Sequence, residues 1–309
     1  MSEKTTYKMG WLRDWPDARD YTPSTDSIAV KLRDLGEKDS VNAMLQKVGV
    51  LKAPRAVPSS VDLRRWCSPI EDQEDLGSCT ANAGVGLVEY FERRAYGKHI
   101  DASRLFLYKT TRNMLHLTGD TGAFLRSTIG AMAIFGVPPE VYWPYKPFDA
   151  IPGPMFDTEP PAFCYSFAQN FKALTYYRLD PSGTPKPDLL NRIKTYIAAG
   201  LPQMFGFTVF SSYVQAKSNG MIPYPARGEE IAGGHAVDAV GYDDSIKIVN
   251  TNSGGPTTVG ALLIRNSWGT GWGNKGYGWL PYDYVLNGMA VDWWSLLKNG
   301  WIDTGEFKI

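Results

Sequence analysis

The sequence lacks the features that mark several common classes of protein. Its 309 residues include only three cysteines, Cys67, Cys79 and Cys164, and so small and odd a number is a poor basis for a disulfide framework. No cluster of cysteine or histidine has the spacing of zinc ligands, so we expect no structural metal. No apolar run approaches the roughly 18 residues of a membrane span. These absences leave an ordinary globular protein.

Charge and the N-terminal residues give expectations about the partners and the location of the protein. Basic and acidic residues balance at 32 each, so nothing indicates a nucleic-acid or membrane partner. Residues 1–21 contain no apolar segment of the kind found in a secretory signal. Together with the scarcity of cysteine, this predicts a cytoplasmic, reducing location. A signal already removed by processing, or export by another route, stays open.

The chain divides near residue 57. Residues 1–57 combine turn-rich sequence, one or two short amphipathic helices and the proline-punctuated linker KAPRAVPSS, so we expect an extension that packs on the main domain or lies across it. In the main domain, residues 58–309, helical patterns come first (about 75–165) and strand patterns follow (about 166–290). This order predicts an α+β fold with a helical lobe and a sheet-like or barrel-like lobe. The cleft between two such lobes is the default place for a site.

Individual helices and strands can be placed along the main domain. The helical patterns contain small and apolar residues, and glycine often stands at their ends; they cover 79–97, 103–115, 122–136 and 189–200. The strand patterns are short, rich in β-branched or aromatic residues and broken by glycine; they cover 201–210, 234–244, 245–250, 260–268 and 276–285.

Cys79 stands in EDLGSCTANA, at the start of the first helical pattern. An isolated cysteine is more often a small buried apolar residue than a nucleophile. The partial positive charge at a helix N-terminus, however, favours the thiolate form that reacts. Cys79 is therefore a candidate nucleophile, provided that an imidazolium lies nearby and a third group holds its ring.

Among the three histidines, His235 is the best candidate for that imidazole. It heads a strand in GGHAVDAVGYDD, where two glycines let the backbone approach another lobe, although a structural histidine at a strand end is the alternative. His99 suits the solvated end of a helix, and His116 precedes a turn without a second signal. Asn266 ends a strand in IRNSWGTGWG, where its amide would orient an imidazole while Trp268 shields the hydrogen bond from water.

Gln73 lies six residues before Cys79, and its side-chain N–H would form an oxyanion hole with the backbone N–H of Cys79. With these residues the sequence resembles the papain family of cysteine peptidases, in its bacterial branch. The motifs Q…GSC at Gln73 to Cys79, GHAVDAVGYD around His235 and IRNSWGTGWG around Asn266 occur in the family's order. The resemblance runs from about Val57 to the C-terminus, and three motifs in order are a much stronger signal than one.

The resemblance implies a cysteine endopeptidase that hydrolyses peptide bonds in proteins or peptides without a cofactor. Cys79 would attack the scissile carbonyl, Gln73 would stabilise the oxyanion, His235 would transfer protons and Asn266 would orient its ring. Two alternatives stay open: an acyl transferase or ligase that uses the same acyl-enzyme, and a non-catalytic peptide-binding protein with the same fold.

The resemblance also assigns substrate-binding residues: Gly122, Ala123, Phe124, Leu125, Gly234 and Trp268. Gly122 and Ala123 would form a backbone edge that pairs with an extended substrate. Phe124 and Leu125 would line the pocket for P2, the second side chain before the cleaved bond. Either Trp293 or Trp294 would close this pocket. Such walls carry no charge, so we expect a preference for aliphatic or aromatic P2 residues. The alternative for Phe124 and Leu125 is that they belong to the core of the helix.

The sequence departs from the family's pattern in a few places. Leu76 stands where the family usually has a disulfide-bonded cysteine, and Asp120 falls near the place of the partner, which suits a reducing compartment. Thr80 follows the nucleophile, where tryptophan is common. The histidine and asparagine motifs are further apart than usual, with SIKIVNTNSGGPTTVG as the expected inserted hairpin. None of these departures removes a catalytic group.

Residues 1–57 are expected to restrain the enzyme, because the family is commonly made as a zymogen with an N-terminal inhibitory segment. This segment is shorter than the usual one and lacks its signature, so it would have to inhibit through a different geometry. We expect Trp11, Trp15 and Tyr21 to anchor it over the cleft, since rigid aromatic side chains bury much area at low entropic cost. The alternative is that the extension packs on the back of a lobe and only stabilises it.

One further glycine pattern, GWGNKG at 271–276, has the spacing of a dinucleotide-binding loop. The stretch that follows, YGWLPYDY, is aromatic and contains proline, whereas a pyrophosphate site needs a helix there. We therefore expect no nucleotide cofactor at this loop.

Overall fold

A computed structural model of the chain describes residues 7–28, 30–34, 37–50, 57–149, 153–171 and 173–299. Most of the linker KAPRAVPSS lies outside them. The helices in the described residues are α1 (Val30–Asp34), α2 (Val41–Lys47), α3 (Cys79–Tyr96), α4 (Arg104–Met114), α5 (Leu125–Ile134), α6 (Ala162–Ala168), α7 (Lys186–Ala198) and α8 (Tyr282–Leu286). The strands are β1 (Trp11–Leu12), β2 (Ser60–Asp62), β3 (Ala123–Phe124), β4 (Ala173–Arg178), β5 (Gln203–Phe210), β6 (Ile231–Val249), β7 (Thr257–Arg265), β8 (Tyr277–Pro281) and β9 (Ala290–Asn299).

The long helix α3 joins the two lobes. It begins at Cys79 and is buried continuously as far as Glu92. It packs against α4 and α5 of the helical lobe and against β6 of the sheet. Glycine makes the second contact possible, because a Cβ atom on Gly86 would lie 2.7 Å from Oδ2 of Asp238 on β6. The first residue of α3 therefore lies where the lobes meet.

The strand-rich lobe is an antiparallel sheet with the order β4-β9-β5-β6-β7-β8, and β2 also pairs with β6. Its central strands are almost continuously buried, which agrees with their apolar sequences. His235 on β6 lies opposite Phe207 on β5. On the other side of β6, Asp238 pairs with Arg265, the last residue of β7. Asn266 follows directly, so the register brings it towards His235.

The predicted α+β fold with two lobes is confirmed, and so are the two short helices of the extension, which form as α1 and α2. The strand-rich lobe is an open sheet and not a closed barrel, since the edge strands β4 and β8 are not paired with each other in the described residues. The stretches 234–244 and 245–250 form one strand, β6, whose outer end makes a hairpin with β7. The stretch 276–285 is a strand only as far as Pro281, after which α8 begins. The strands β4 and β9 of the large sheet were not among those predicted.

No helix in the part of the chain that the structure describes is long and apolar enough to cross a membrane. The loop at 271–276 leads into the strand β8, which agrees with the expectation that no helix follows it.

Gly97 at the C-terminus of α3 provides a test of this fold. Its φ is 71°, a left-handed conformation that costs an L-residue about 1 kcal/mol, and an added Cβ would meet open space. Gly97→Ala should therefore lower the free energy of unfolding by about 1 kcal/mol through the backbone alone, measured by urea denaturation. Gly153→Ala is the matched control, because its Cβ would also meet open space but its φ is not left-handed. Equal destabilisation by both changes would contradict this explanation.

Candidate active site

Cys79 is fully buried at the first residue of α3. Burial raises the pKa of its thiol to about 11, and hydrogen bonds from the backbone N–H groups of Ala236 and Gly10 to the sulfur oppose this effect. Ala236 follows His235 on β6, so helix and sheet bring the sulfur close to the imidazole. Gly10 belongs to the N-terminal extension. The sulfur is thus enclosed by both lobes and by the extension.

His235 and Asn266 are hydrogen bonded to each other. Nε2 of His235 lies 2.7 Å from Oδ1 of Asn266. The same oxygen accepts a hydrogen bond from the backbone N–H of Ser267 at 2.8 Å, so Oδ1 is the acceptor and the ring N–H donates to it. Burial lowers the pKa of His235 to about 4, and the bond to Asn266 acts in the opposite direction. Nδ1 has no hydrogen-bond partner within the described residues, so it is available to exchange a proton.

Trp268 covers this hydrogen bond. Its ring stacks on His235 with 4.4 Å between the ring centroids and 20° between the ring planes. Trp272 and Tyr213 contact Trp268 edge to face, at 5.4 Å and 5.9 Å between centroids. Because Trp268 is itself buried, the His235–Asn266 bond lies in surroundings from which water is excluded.

The side chain of Gln73 is held by three hydrogen bonds. Its Oε1 accepts from the hydroxyl of Ser267 at 2.6 Å. Its Nε2 donates to the carbonyl of Leu76 at 2.8 Å and to the carbonyl of Lys8 at 2.9 Å. The first two bonds fix the orientation of the amide, and the third comes from the extension. The side-chain N–H of Gln73, which was predicted to bind an oxyanion, therefore donates to the backbone carbonyl of Lys8.

Residues 7–12 of the extension lie along the cleft. The strand β1 pairs in parallel with β3, and the backbone N–H of Ala123 donates to the carbonyl of Gly10 at 2.8 Å. At the start of this segment, Tyr7 stacks on Trp268 with 4.4 Å between centroids and 6° between planes. The segment therefore touches the helical lobe through its backbone and the ring that covers His235 through a side chain.

Glycines allow the backbones to approach this closely. A Cβ atom on Gly10 would lie 1.8 Å from the carbonyl oxygen of Gly77, in the loop before Cys79. A Cβ atom on Gly122 would lie 2.3 Å from the carbonyl oxygen of Gly10. Neither backbone atom could move aside without moving its chain, so these positions require glycine in the described arrangement.

Trp11 fills a pocket at the sheet side of the cleft. Cβ atoms added to Gly206 and Gly234 would lie 1.9 Å and 2.8 Å from its side-chain ring atoms, so both glycines face the indole. The indole N–H donates to Oδ2 of Asp292 at 3.1 Å. Burial raises the pKa of the Asp292 carboxyl to about 7, and the nearby Arg178 acts in the opposite direction. The pocket thus has walls without side chains and an acidic group at one end.

Two aspartates of the extension form ion pairs with both lobes. Asp14 and Asp20 lie 2.5 Å and 2.7 Å from the guanidinium group of Arg126 on α5. Asp20 also lies 3.7 Å from Arg178 on β4, in the other lobe. The extension therefore bridges the two lobes electrostatically.

Asp120 occupies the position where a disulfide partner would be expected. Its carboxylate accepts hydrogen bonds from the backbone N–H of Gly77 at 3.0 Å and from the hydroxyl of Tyr108 at 2.6 Å. It also forms an ion pair with Lys8 of the extension at 2.7 Å. Polar contacts to a carboxylate thus hold the loop before Cys79 on the side where the family usually has a covalent bridge.

The structure places the predicted substrate-binding residues at different distances from the cleft. Gly122, Ala123 and Gly234 face the extension through their backbones, and Phe124 pairs with Leu12. The ring of Trp268 stacks on the ring of Tyr7 in the extension. Leu125 is fully buried at the start of α5, which agrees with the alternative of helix core.

The uncharged P2 pocket stays a prediction, and the expectation that Trp15 anchors the extension is wrong. The pocket that holds Trp11 contains a charged group, because the strand β9 places Asp292 in it. Of the two tryptophans considered for closing the pocket, Trp293 stacks on Phe205 within the core, while Trp294 donates its indole N–H to Asp292. Trp15 does not anchor the extension, since 68% of its surface is exposed. Tyr21 is only partly buried against the core.

Sequence reasoning missed Gly206, Asp292 and the backbone contacts of Lys8. For Asp292 a signal was present, since an aspartate between apolar residues in AVDWW is unusual in a buried strand. The other two have no local signal, because their roles depend on contacts between distant parts of the chain.

The remaining cysteines play no part in this arrangement. Cys67 and Cys164 are buried and free, as is Cys79. Burial raises the pKa of the Cys67 thiol to about 11. Among the described residues there is no group of three or more histidine, cysteine, aspartate or glutamate side chains that could hold a metal ion.

Comparison with known families gives a clear match. The family model described as "Papain family cysteine protease" matches residues 57–290 of this chain. The Uncharacterized peptidase C1-like protein L477 of Acanthamoeba polyphaga mimivirus is 30% identical over 298 residues, which cover 93% of this chain and 86% of that protein. Cathepsin K of Gallus gallus is 28% identical over 224 residues, which cover 71% of this chain and 58% of cathepsin K.

Solved structures agree with this match. Xylellain, a cysteine protease from Xylella fastidiosa, is similar to the chain with a TM-score of 0.71 and 30% identity, over 96% of this chain and 98% of xylellain. Procathepsin L 3 from the larval midgut of Tenebrio molitor has a TM-score of 0.58 and 22% identity, over 80% and 72% of the two chains. Because procathepsin L 3 is only 22% identical to this chain, this similarity concerns the fold alone.

The burial of Cys79 predicts a slow and strongly pH-dependent reaction with iodoacetamide. With a pKa of about 11, only about one thiol in a thousand is a thiolate at pH 8, and the fraction rises about tenfold for each pH unit. Alkylation of Cys79 in the full chain should follow this dependence, measured by mass spectrometry of the peptide that contains it. Rapid alkylation that is independent of pH between 6 and 8 would show instead that the thiolate already exists beneath the extension.

Proposed function

The chain belongs to the papain family of cysteine proteases and is a peptide hydrolase, and from this premise we propose that Cys79 is its nucleophile and that residues 7–20 inhibit it by occupying the cleft. The observation that carries the proposal is the bond from Gln73 Nε2 to the carbonyl of Lys8, beside a sulfur that accepts from Gly10. The groups proposed to act on a peptide are thus already in contact with a peptide backbone.

The proposed reaction proceeds through an acyl-enzyme. The thiol proton of Cys79 passes to Nδ1 of His235, and the sulfur attacks the scissile carbonyl carbon. The oxyanion accepts hydrogen bonds from Gln73 and from the backbone N–H of Cys79. His235 then protonates the leaving amine, and the C–N bond breaks. A water molecule that gives a proton to His235 attacks the thioester, the C–S bond breaks with release of the acid, and His235 returns the proton to the sulfur.

The environment of His235 supports its role. Because Nε2 donates to Asn266, the proton acceptor of the neutral ring is Nδ1, and this atom has no hydrogen-bond partner within the described residues. Asn266 is neutral, so it fixes the ring without adding a charge. Trp268 excludes water from the bond between them.

The position of the extension supports competition with substrates. The backbone N–H of Gly10 acts on the Cys79 thiol as a hydrogen-bond donor. The extension would therefore compete with substrates for the backbone contacts of the cleft.

Ion pairs support the same proposal. The pairs of Asp14 and Asp20 with Arg126, and of Lys8 with Asp120, connect the segment to the helical lobe on both sides of Gly10. A single exposed pair contributes about 1 kcal/mol or less. Because the segment belongs to the same chain, its effective concentration is high, so several weak contacts suffice to keep the cleft closed.

Replacing Gly10 tests the inhibition. A side chain at this position would collide with the backbone of Gly77, so Gly10→Val should displace the segment and raise kcat/KM on a small fluorogenic peptide by about tenfold or more, which corresponds to about 1.4 kcal/mol of lost inhibition. Trp15→Ala is the control within the same segment, since Trp15 is exposed and its removal should leave activity unchanged. The inhibition model would be wrong if Gly10→Val, folded as judged by circular dichroism, had the activity of the unaltered chain.

The catalytic roles can be tested in the Gly10→Val background. Adding Cys79→Ala or His235→Ala should abolish hydrolysis, because the nucleophile or the proton carrier is lost. Adding Asn266→Ala should leave measurable activity, since this residue only orients the ring. Cys67→Ala is the matched control, because Cys67 is equally buried and free but lies outside the site. Activity retained by Cys79→Ala would refute the proposed mechanism.

A further inference from the structure

We propose that Asp120 is a specificity-determining residue that selects a basic side chain, lysine above all, at P1, the residue whose carbonyl carbon is attacked. The step from contact to substrate rests on the proposed function, whereas the contact itself does not. At the position near which the resembling family has half of a disulfide bridge, this chain therefore has a group that distinguishes between substrates.

Lys8 of the extension presents its carbonyl where a P1 residue would present its own. In the proposed reaction the oxyanion forms on the carbonyl oxygen of P1 and accepts from Nε2 of Gln73. In the covered chain, Nε2 donates to the carbonyl of Lys8 at 2.9 Å. The ammonium group of the same lysine lies 2.7 Å from Oδ2 of Asp120. A residue with its carbonyl at Gln73 therefore lies within the reach of a lysine side chain from Asp120.

The two carboxylate oxygens of Asp120 have different partners. Oδ1 accepts from the hydroxyl of Tyr108 at 2.6 Å and from the backbone N–H of Gly77 at 3.0 Å. Oδ2 shares the N–H of Gly77, at 3.2 Å, and forms the ion pair with Lys8. Both Tyr108 and Gly77 belong to the main domain, so they stay when the extension leaves. Oδ2 then loses its cation, and a substrate with a cation in the same place restores the ion pair.

Asp120 is held at the edge of the cleft by groups that lie along it. Gly77 is in the loop directly before Cys79, and a Cβ atom on Gly77 would lie 2.9 Å from Oδ1, so glycine lets the carboxylate approach this loop. The hydroxyl oxygen of Tyr108 also accepts from the backbone N–H of Gly122, which was predicted to pair with a substrate, at 3.0 Å. The carboxylate is thus fixed between the loop of the nucleophile and the predicted substrate edge.

Neighbouring charges leave Asp120 to Lys8. Within the described part of the chain, Lys8 is the one cation that lies within 4.0 Å of this carboxylate. The guanidinium of Arg112 lies 4.2 Å from the centre of the Tyr108 ring. It belongs to a separate group of two cations and two carboxylates, which is formed by Lys109, Arg112, Asp157 and Glu159. The charges of that group balance among themselves, so Asp120 keeps a net negative charge for a partner.

The single open oxygen favours lysine. An ammonium group is a point charge that one oxygen satisfies, whereas arginine gains most from two parallel bonds to a carboxylate. Because Oδ1 of Asp120 already has two donors, arginine finds one open oxygen and gains nothing over lysine. Norleucine is an uncharged side chain of similar shape and leaves Oδ2 without a cation. Glutamate would place a like charge beside Asp120, and the stretch EDLGS before Cys79 adds two acidic residues and no basic one.

Peptide binding tests the assignment without hydrolysis. The full chain for this test carries Gly10→Val to displace the extension, Lys8→Met to remove the competing cation and Cys79→Ala to prevent turnover. Acetyl-Phe-Lys-amide should bind it about tenfold more tightly than acetyl-Phe-norleucine-amide, measured by isothermal titration calorimetry. The difference is moderate because 49% of the Lys8 side chain is exposed, so the ion pair is partly screened. The unaltered chain is the control and should bind neither peptide.

The role of Asp120 is tested by adding Asp120→Asn, which keeps an acceptor for Gly77 and Tyr108 but removes the charge. The preference for lysine over norleucine should fall to about twofold or less. The ratio of the two affinities is the readout, because Asp120 also holds the loop at Gly77. Asp120→Ser serves the same purpose if Asp120→Asn does not fold.

Glu74→Gln is the matched control, because it removes one exposed acidic group from the loop before Cys79 and should leave the preference unchanged. Equal affinity for the two peptides, binding of neither by the opened chain, or an unchanged preference after Asp120→Asn would overturn the assignment.

Hydrolysis then separates this inference from the proposed function. With Cys79 restored, the opened chain should cleave a fluorogenic amide with lysine at P1 about tenfold faster, in kcat/KM, than one with norleucine, and salt at about 1 M should reduce this preference. Equal rates would refute the selection by Asp120 and leave the peptidase function standing. Absence of hydrolysis, with the lysine preference in binding intact, would refute the proposed function and leave the contact with Asp120 standing.

Discussion

The burial of Cys79 and His235 under the backbone of residues 8–10 is the constraint on which the rest of the cleft depends. Nucleophilic attack by sulfur requires a thiolate, and its stable partner is an imidazolium. Burial works against both charges, because it raises the pKa of the thiol to about 11 and lowers that of the imidazole to about 4. Burial therefore favours the uncharged form of both groups. Under the proposed inhibition, uncovering the site would restore the solvation that the charged pair needs.

The cover consists of backbone more than of side chains. Gly10 and Gly122 let the extension, the loop at Gly77 and the strand β3 approach within distances that a Cβ atom on either residue would forbid. Such contacts use the same N–H and carbonyl groups that an extended peptide presents, and the rings of Tyr7 and Trp11 add apolar contacts to them. Ion pairs to Arg126 in one lobe and Arg178 in the other then hold the segment across the gap. A cover of this kind is weak in each contact and is favoured mainly by being part of the same molecule.

These features explain which parts of the site the sequence predicts. Cys79 and Asn266 lie at the ends of regular elements, where helix and strand patterns mark positions to within a residue or two. The end of α3 at Gly97 is equally local, because a left-handed residue favours glycine. Trp11 and Trp15 cannot be told apart in the same way, since both are tryptophans in one turn-rich stretch and only the fold decides which of them meets a pocket. The stretch AVDWW marks Asp292 only as an unusual aspartate in a buried strand, because its place in the pocket depends on a shift of register between β5 and β9.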